Sequence, residues 1–243
     1  MFSYIKDFAL PSVLVALVSY LLGSISFSII FTKVFDNNVD IRTLGSGNAG
    51  ATNVLRSVGA KAAIFTFIFD FAKGAVSVMI GRAVFQYICG SAAESLVVNP
   101  HVVAQYGAYI AGVACVFGHI YPAYFGFKGG KGVLTSAAMI ALIDWRVFII
   151  VISVFLILFL ITKIVSLSSI CGAATFPVAT FLITYFIDYR QGQASAGPVP
   201  LSYVWITTAI AFCMAFVLIY KHRTNIERIK NGTEKKITIN HRA

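Results

Sequence analysis

Charged residues are scarce in this chain of 243 residues, and acidic residues are scarcer than basic ones. Only 12% of the residues are charged, nine of them Asp or Glu, whereas 58% are hydrophobic. A soluble domain of this size could not hide so much apolar surface, so an ordinary soluble domain, a disordered chain and a collagen-like chain are excluded. The net charge of +10 would suggest nucleic acid in a soluble protein, but in a membrane protein its meaning depends on where the charges lie.

Cysteine is also scarce, and the four cysteines are widely spaced within or beside apolar segments. A disulfide framework or a zinc site would need closer spacing and polar neighbours. We therefore expect packing cysteines, no metal site and no cofactor. The sequence offers no assignable Ser-His-Asp or Cys-His arrangement and no His-x4-Asp motif.

Long apolar runs dominate the chain, and a bilayer core of about 30 Å needs about 20 such residues in a helix. Residues 146–161 are slightly short of this length, and Val133–Ile143 has only 11 residues, so it either crosses the membrane or turns back. The fold class expected is an all-α integral membrane protein, a polytopic bundle of about seven transmembrane helices in a single domain over residues 1–243. Its five confident spans are residues 10–32, 62–84, 106–125, 164–187 and 201–220.

Basic residues predict the orientation of these spans. An odd number of spans puts the termini on opposite sides, and with the N-terminus outside, 14 of the 19 Lys and Arg residues fall on one side and four on the other. The positive-inside rule makes the richer side cytoplasmic, together with the C-terminus and the basic tail, residues 221–243. The two sizeable outer stretches would be residues 85–105 and 188–200, the second a plain loop.

Glycine and small polar residues cluster on the predicted cytoplasmic side. The first glycine segment, residues 44–56, reads Leu-Gly-Ser-Gly-Asn-Ala-Gly-Ala-Thr-Asn-Val-Leu-Arg, and Arg42 precedes it. Its glycines allow close backbone approach to a ligand, and arginine can bind phosphate through two hydrogen bonds. The segment is either an anion site or a loop of small residues that lets helices pack closely, and it lacks the lysine of a Walker A motif.

The second glycine segment, residues 127–133, reads Phe-Lys-Gly-Gly-Lys-Gly-Val. Glycines around Lys131 beside a short helix favour a phosphate held by backbone N–H groups and an ammonium, over a tight turn with two cytoplasmic lysines. Ser166, at the start of a predicted helix, is more typical of a cap. The basic tail suits anionic lipid, but Asn225 and Glu234 within it are less easily explained in that way.

Ionisable side chains within the predicted spans are the remaining candidates. Asp70 and Lys73 lie three residues apart on one helix face, and Asp70 is about 12 Å from the cytoplasmic end. We favour an ion pair that anchors the glycine segments, although groups at such depth are also functional candidates. His119 is interpreted as a hydrogen-bonded packing residue more than a base, and His222 as a phosphate donor or an interfacial residue.

In combination these motifs resemble the acyl-phosphate-dependent glycerol-3-phosphate acyltransferases, the PlsY family. Ser26 and Leu134 stand where the family pattern has Pro and Ala, and neither departure touches a polar site. The resemblance covers nearly the whole chain, through Gly23-Ser-Ile, Asp40-Ile-Arg42, the two glycine segments, Asp70-Phe-Ala-Lys-Gly74, Gly118-His, His222-Arg-x-Asn225-Ile and Gly232-Thr-Glu234.

The resemblance implies a multi-pass enzyme of the bacterial cytoplasmic (inner) membrane with its active site facing the cytoplasm. It would transfer a fatty acyl group from acyl phosphate to the 1-hydroxyl of sn-glycerol 3-phosphate, giving lysophosphatidate and phosphate in the first acylation of phospholipid synthesis. An acyl-phosphate synthase would be a functional neighbour, and membrane lipid rather than nucleic acid the other partner. Because a mixed anhydride is already activated, direct attack without a covalent acyl-enzyme is the favoured mechanism.

The resemblance also implies roles for individual residues. Ser46, Lys131 and Asn225 are expected to be catalytic, and Asp70, Lys73, His119 and Glu234 to be structural or supporting. Acyl phosphate would bind Ser46, Gly47, Asn48, Thr52 and Asn53. Glycerol 3-phosphate would bind Arg56, Gly129, Gly130, Lys131, Ser166, His222 and Asn225.

Two other classes of protein share part of this pattern. A secondary transporter for an organic phosphate would also need an anion site, but it predicts internal repeats and binding residues near the bilayer midplane. A lipid-binding scaffold would explain the basic tail but not the two glycine segments.

Overall fold

The computed structural model describes residues 2–91, 99–192 and 199–237, and the regular structure of these residues is helical. Short 3-10 turns lie at Ile41–Thr43 and Ala123–Phe125, and a π-helical stretch, Ile183–Tyr189, continues α8. The all-α class is confirmed. The described α-helices are α1 (Phe2–Gly23), α2 (Phe27–Phe35), α3 (Ala51–Ser57), α4 (Ala60–Ser91), α5 (Pro100–Ile120), α6 (Val133–Ile143), α7 (Trp145–Thr162), α8 (Val165–Leu182), α9 (Leu201–Lys221) and α10 (Arg223–Lys230).

The apolar helices are consistent with a polytopic membrane protein. The 11 residues of α6 extend about 16 Å, at about 1.5 Å per residue, which is too short for a bilayer core of about 30 Å. The orientation of the termini stays a prediction. Within the described residues, six stretches are long and apolar enough to cross a membrane: Phe8–Phe35, Ala60–Gly90, Pro100–Phe125, Trp145–Thr162, Val165–Tyr189 and Leu201–Lys221.

The first predicted span, residues 10–32, is interrupted in the structure. Helix α1 ends at Gly23 and α2 begins at Phe27, so the carbonyl of Ile25 lies between two helices. The ammonium of Lys73, on α4, donates a hydrogen bond to this carbonyl over 2.7 Å. A backbone group opened at membrane depth needs such a partner, and the lysine supplies it without a proline at the break.

The described helices extend into both stretches that were predicted to lie outside the membrane, and residues 92–98 of the first stretch lie outside the described ones. Residues 85–105 are helical at both ends, because α4 continues to Ser91 and α5 begins at Pro100, where the Asn99 side chain accepts a hydrogen bond from the His101 N–H. A proline at the first position of a helix after an asparagine cap is a usual start, and this signal was missed. The predicted loop at residues 188–200 begins inside the π-helical stretch, and its residues 193–198 lie outside the described ones.

The chain divides after Ile143 into two compact units, and a single domain over residues 1–243 stays a prediction. In the first unit α4 and α5 pack along each other, α1 and α6 pack on both, and α2 and α3 pack on α4. At the crossing of α4 and α5, a Cβ atom on Gly81 or Gly107 would collide with the backbone carbonyl of the other. Small residues allow this close approach, which is a common basis of helix association in lipid.

Polar side chains complete the short helix α6 at its C-terminal end. Arg82 of α4 donates to the carbonyl of Leu142, and Gln105 of α5 donates to the carbonyl of Ile143 over 3.3 Å. The last carbonyls of a helix have no partner within it. These two side chains therefore allow α6 to end after 11 residues.

In the second unit α8 packs against α7 and α9, and α10 packs against α8 and α9. Asp144 caps α7 by accepting a hydrogen bond from the Arg146 N–H over 2.9 Å. The Arg146 guanidinium forms two hydrogen bonds to Asp188, of 2.8 and 2.9 Å, and also binds Asp144. This ion-pair group joins the start of α7 to the π-helical stretch.

Candidate functional site

Asn53 determines the shape of the first glycine segment. Its side chain is 3% exposed. The carboxamide oxygen accepts from the Ser46 N–H over 3.0 Å, and the amide nitrogen donates to the carbonyls of Leu44 and Ile41 over 2.9 and 3.3 Å. Ser46 is exposed between Gly45 and Gly47, whose φ angles of +56° and +70° favour glycine. The segment is thus a folded loop that presents the serine to solvent.

Arg42 joins the two glycine segments. Its Nη2 lies 2.8 Å from an Asp40 carboxylate oxygen, and its Nη1 donates to the carbonyls of Phe125 and Lys128 over 2.7 and 3.3 Å. The hydrogen-bonded guanidinium holds the pKa of Asp40 below its usual range. The sequence suggested that Arg42 supplies charge to an anion site, but its described contacts are within the protein. Asp40 was missed as its partner, although an acid two residues before an arginine is a recognisable signal.

The side chains predicted to bind acyl phosphate and the cations beside them differ in accessibility. Ser46 and Arg56 are exposed, whereas Asn48, Thr52 and Lys131 are partly buried. Asn53 is the buried member of this set, and its side-chain hydrogen bonds go to the loop backbone, where they stabilise the loop conformation. Direct contact of any of these residues with substrate stays a prediction.

The second glycine segment is attached to the end of α5. The N–H of Gly129 donates to the carbonyl of Ile120 over 3.2 Å, and the N–H of Gly130 donates to the carbonyl of His119 over 3.1 Å. A Cβ atom on Gly130 would overlap the imidazole Nε2 of His119 and the carbonyl oxygen of Ala49. The two glycine segments therefore meet at Ala49 and Gly130. Both N–H groups predicted to hold phosphate already donate within the protein, and the charged groups of this segment are the side chains of Lys128 and Lys131.

Asp70, Lys73 and His119 form a buried charge cluster in the first unit. Lys73 Nζ lies 2.8 Å from Asp70 Oδ1, and the two side chains are 2% and 1% exposed, so the predicted pair is present. His119 Nδ1 lies 3.7 Å from the same oxygen. Lys73 also lies over the ring of Phe27, 5.7 Å from its centroid. Buried charges are tolerated when they are paired in this way.

Glu234 collects three donors in the second unit, and we call these four residues the Glu234 cluster. Its Oε1 accepts from Ser166 Oγ over 2.7 Å and from Asn225 Nδ2 over 2.6 Å, and its Oε2 accepts from Arg228 Nε over 2.6 Å. Burial raises the pKa of the Glu234 carboxyl, but the hydrogen bonds outweigh this and hold the pKa below its usual range. Glu234 is thus an ionised carboxylate at neutral pH that orients two of the predicted substrate ligands, Ser166 and Asn225.

His222 lies at the junction of α9 and α10. Its side chain is 3% exposed, and Nδ1 lies 2.7 Å from the carbonyl oxygen of Leu218. Since a carbonyl only accepts, Nδ1 carries the hydrogen. The sequence did not lead us to expect helix α10, which carries Asn225, although the spacing of Ile226 and Ile229 is typical of one face of a helix.

Comparison with known proteins decides the family. A family model described as glycerol-3-phosphate acyltransferase matches residues 13–232. The chain belongs to the glycerol-3-phosphate acyltransferase family. It is an acyltransferase of phospholipid synthesis and an integral membrane protein, as the resemblance implied.

Relatives match along nearly the whole chain. The glycerol-3-phosphate acyltransferase of Thermoanaerobacter sp. (strain X514) is 36% identical over 229 residues, which are 93% of this chain and 96% of that protein. The enzyme of Prochlorococcus marinus (strain MIT 9215) is 37% identical, covering 94% and 99%. The crystal structure of PlsY (YgiH), an integral membrane glycerol 3-phosphate acyltransferase, in its glycerol 3-phosphate form matches with a TM-score of 0.69 and 32% identity over 94% of this chain and 96% of that one. Its lysophosphatidic acid form matches with a TM-score of 0.66.

Proposed function

We propose that this protein transfers a fatty acyl group from acyl phosphate to the 1-hydroxyl of sn-glycerol 3-phosphate. The observation that carries the proposal is the first glycine segment, a folded loop that exposes Ser46 and meets the segment carrying Lys131. Both substrates carry phosphate, and these segments combine small hydrogen-bond donors with cationic side chains. The reaction would take place at the cytoplasmic face of a bacterial inner membrane, where a soluble and a lipid-like substrate can both be reached.

Roles follow for the residues of each unit. In the first unit, Ser46, Gly47, Asn48 and Thr52 bind acyl phosphate, and Asn53 maintains the loop that carries them. Arg56 and Lys131 of the same unit bind the phosphate of glycerol 3-phosphate, and Gly129 and Gly130 position Lys131. In the second unit, Ser166, His222 and Asn225 contribute to recognition of glycerol 3-phosphate, with Glu234 as their support.

The mechanism that suits these groups is direct transfer. The 1-hydroxyl oxygen attacks the carbonyl carbon of acyl phosphate, the bond from that carbon to the phosphate oxygen breaks, and inorganic phosphate leaves. The hydroxyl proton passes to a phosphate oxygen of the substrates. Because the anhydride is already activated, rate acceleration comes from positioning the substrates and stabilising the developing negative charge.

The test is an assay of the purified protein with acyl phosphate and glycerol 3-phosphate. The expected result is release of phosphate and formation of lysophosphatidate only when both substrates are present. Acylation that requires acyl-CoA or acyl carrier protein as donor would contradict the proposed donor. Movement of glycerol 3-phosphate into sealed vesicles without acylation would favour the transporter alternative instead.

Two further measurements test the roles of the residues. Ser46→Ala should reduce kcat/KM about 100-fold, whereas Ser12→Ala should not, because the Ser12 hydroxyl donates to the Phe8 carbonyl within α1. Normal product formation by Ser46→Ala would remove Ser46 from the mechanism. Trapping of an acyl group on a serine or histidine during turnover would contradict direct attack.

A further inference from the structure

His119 lies between the buried charge cluster and the second glycine segment. One ring nitrogen, Nδ1, faces the Asp70 carboxylate at 3.7 Å, and the other, Nε2, faces Gly130. The side chain is 6% exposed, and no side chain fits at Gly130 without meeting the imidazole. The location of the imidazole therefore limits where Gly130 can lie.

The two glycine segments differ in the contacts that would still hold them if the His119 imidazole were removed. The first is held by the three hydrogen bonds of Asn53 and by Asp40 and Arg42. The second is held by backbone hydrogen bonds at Gly129 and Gly130, one of them to the carbonyl of His119 itself, and by the Arg42 bond to the Lys128 carbonyl, and none of these bonds comes from a side chain of the segment itself. Loss of the ring would therefore displace the second segment more than the first, and Lys131 follows Gly130 directly.

Asp70 connects His119 to the break between α1 and α2. Its Oδ1 is shared between Lys73 at 2.8 Å and His119 at 3.7 Å, and Lys73 in turn donates to the carbonyl of Ile25. At 3.7 Å the contact with His119 is electrostatic, since it is too long for a hydrogen bond. Across this distance the negative carboxylate attracts an N–H and repels a lone pair, so it favours the ring orientation that turns an Nδ1 hydrogen towards Asp70.

We infer that His119 is a positioning residue for Lys131. Its imidazole, oriented by Asp70, sets the location of Gly130 and through it the location of the Lys131 ammonium. The inference rests on the proposed function in one respect, that Lys131 binds the phosphate of glycerol 3-phosphate. It assigns to the buried charge cluster a role in substrate affinity in addition to its role in packing.

The direct test compares the same substitution at two histidines of α5. His119→Gln keeps a polar side chain but loses the ring, and we expect it to weaken equilibrium binding of glycerol 3-phosphate, and to raise its KM, about tenfold. We expect kcat and the KM for acyl phosphate to change less than about threefold, because the first segment is held separately. His101→Gln, at the other end of the helix, should leave the binding constant and the KM for glycerol 3-phosphate unchanged. Should His119→Gln fail to fold, His119→Asn serves as the second variant.

If His119 only stabilised the fold, its substitution would weaken binding whether or not Lys131 is present. A positioning role predicts instead that the effects of substituting His119 and Lys131 are not additive. In a Lys131→Met background, His119→Gln should weaken glycerol 3-phosphate binding no further, because the histidine acts through the lysine. Equal additional loss in that background would overturn the inference. So would a His119→Gln protein that binds glycerol 3-phosphate as the wild type does.

The contribution of Asp70 is measured with a variant that removes both charges of the buried pair. Asp70→Asn combined with Lys73→Gln avoids an unpaired buried ammonium and keeps an N–H donor for the Ile25 carbonyl, and we expect about a fivefold loss of glycerol 3-phosphate affinity. Adding His119→Gln should bring the loss no further than about tenfold, whereas multiplied losses would show that Asp70 does not act through His119. Because binding is measured without an acyl donor, a wild type that binds glycerol 3-phosphate but does not react with acyl phosphate would contradict the proposed donor and leave this inference standing.

Discussion

Asn53 and Glu234 each hold several partners with one buried side chain, but they do so with different chemistry. Asn53 is a neutral amide whose three partners are backbone groups of a single loop. Glu234 is a carboxylate whose partners are the side chains of Ser166, Asn225 and Arg228. Hydrogen bonds to charged groups are stronger than neutral ones, and they depend on ionisation. The first arrangement fixes a backbone shape, and the second fixes side chains through a charge.

The largest expected effect comes from Glu234→Gln, which replaces one carboxylate oxygen with an amide that faces donors. All three hydrogen bonds to the carboxylate lose their charge assistance, and we expect kcat/KM for glycerol 3-phosphate to fall about 100-fold, equivalent to about 2.8 kcal/mol. Glu227→Gln, an exposed position on α10, is the matched control and should behave as the wild type. Equal behaviour of the two variants in steady-state kinetics would mean that the Glu234 cluster does not support binding.

A smaller effect is expected from Asn53→Ala, because neutral hydrogen bonds contribute less. Loss of the three bonds should raise the KM for acyl phosphate about tenfold as the Ser46 loop loses its shape. Asn231→Ala, at an exposed asparagine, is the control for the substitution itself. An unchanged KM for acyl phosphate in Asn53→Ala would show that the loop keeps its conformation without the amide.

Acid should distinguish the two arrangements. The pKa of Glu234 is lower in the folded protein than its unfolded value of about 4.3, so its stabilisation is complete above that pH and is lost as the pH falls through the folded pKa. The difference in unfolding temperature between wild type and Glu234→Gln should therefore be constant from about pH 7 to 5 and shrink below about pH 4. The corresponding difference for Asn53→Ala should not vary over this range, since no titrating group is removed. A Glu234→Gln difference that persists in acid would contradict the ionic account.

The smallest effect is expected from Arg42→Lys. Lysine keeps the charge but cannot bind Asp40 and the carbonyls of Phe125 and Lys128 at once. The Arg42 side chain is 30% exposed, so we expect only about a threefold fall in kcat/KM. Arg190→Lys, at an exposed position, is the control. A fall as large as that of Glu234→Gln would mean that Arg42 contacts substrate.

Local patterns predicted the limits of a helix well where polar residues flank an apolar run at both ends. The limits of α6 agree with the prediction at both ends, because glycine and lysine precede the run and Asp144 follows it. The break between α1 and α2 could not be predicted from its own residues. Its stabilising partner, Lys73, lies 48 residues further along the chain from Ile25.

In the candidate site too, contacts between residues close in sequence could be predicted, whereas contacts between distant residues could not. The spacing of Asp70 and Lys73 predicted their ion pair, since residues three apart share a helix face. The bond from Arg42 to the Phe125 carbonyl joins residues 83 apart, and the bond from Ser166 to Glu234 joins residues 68 apart. No local pattern encodes such pairings, which arise only when the helices that carry them have packed.

The capped end of α6 has a consequence for how the protein enters the membrane. An 11-residue apolar segment is too short to be inserted as an independent span, and its final carbonyls would meet lipid without partners. Arg82 and Gln105, which satisfy those carbonyls, both precede α6 in the chain. During synthesis the receptor for α6 is therefore made before α6 itself. We expect the segment to partition into the bilayer against an already inserted pair of α4 and α5, and not on its own hydrophobicity.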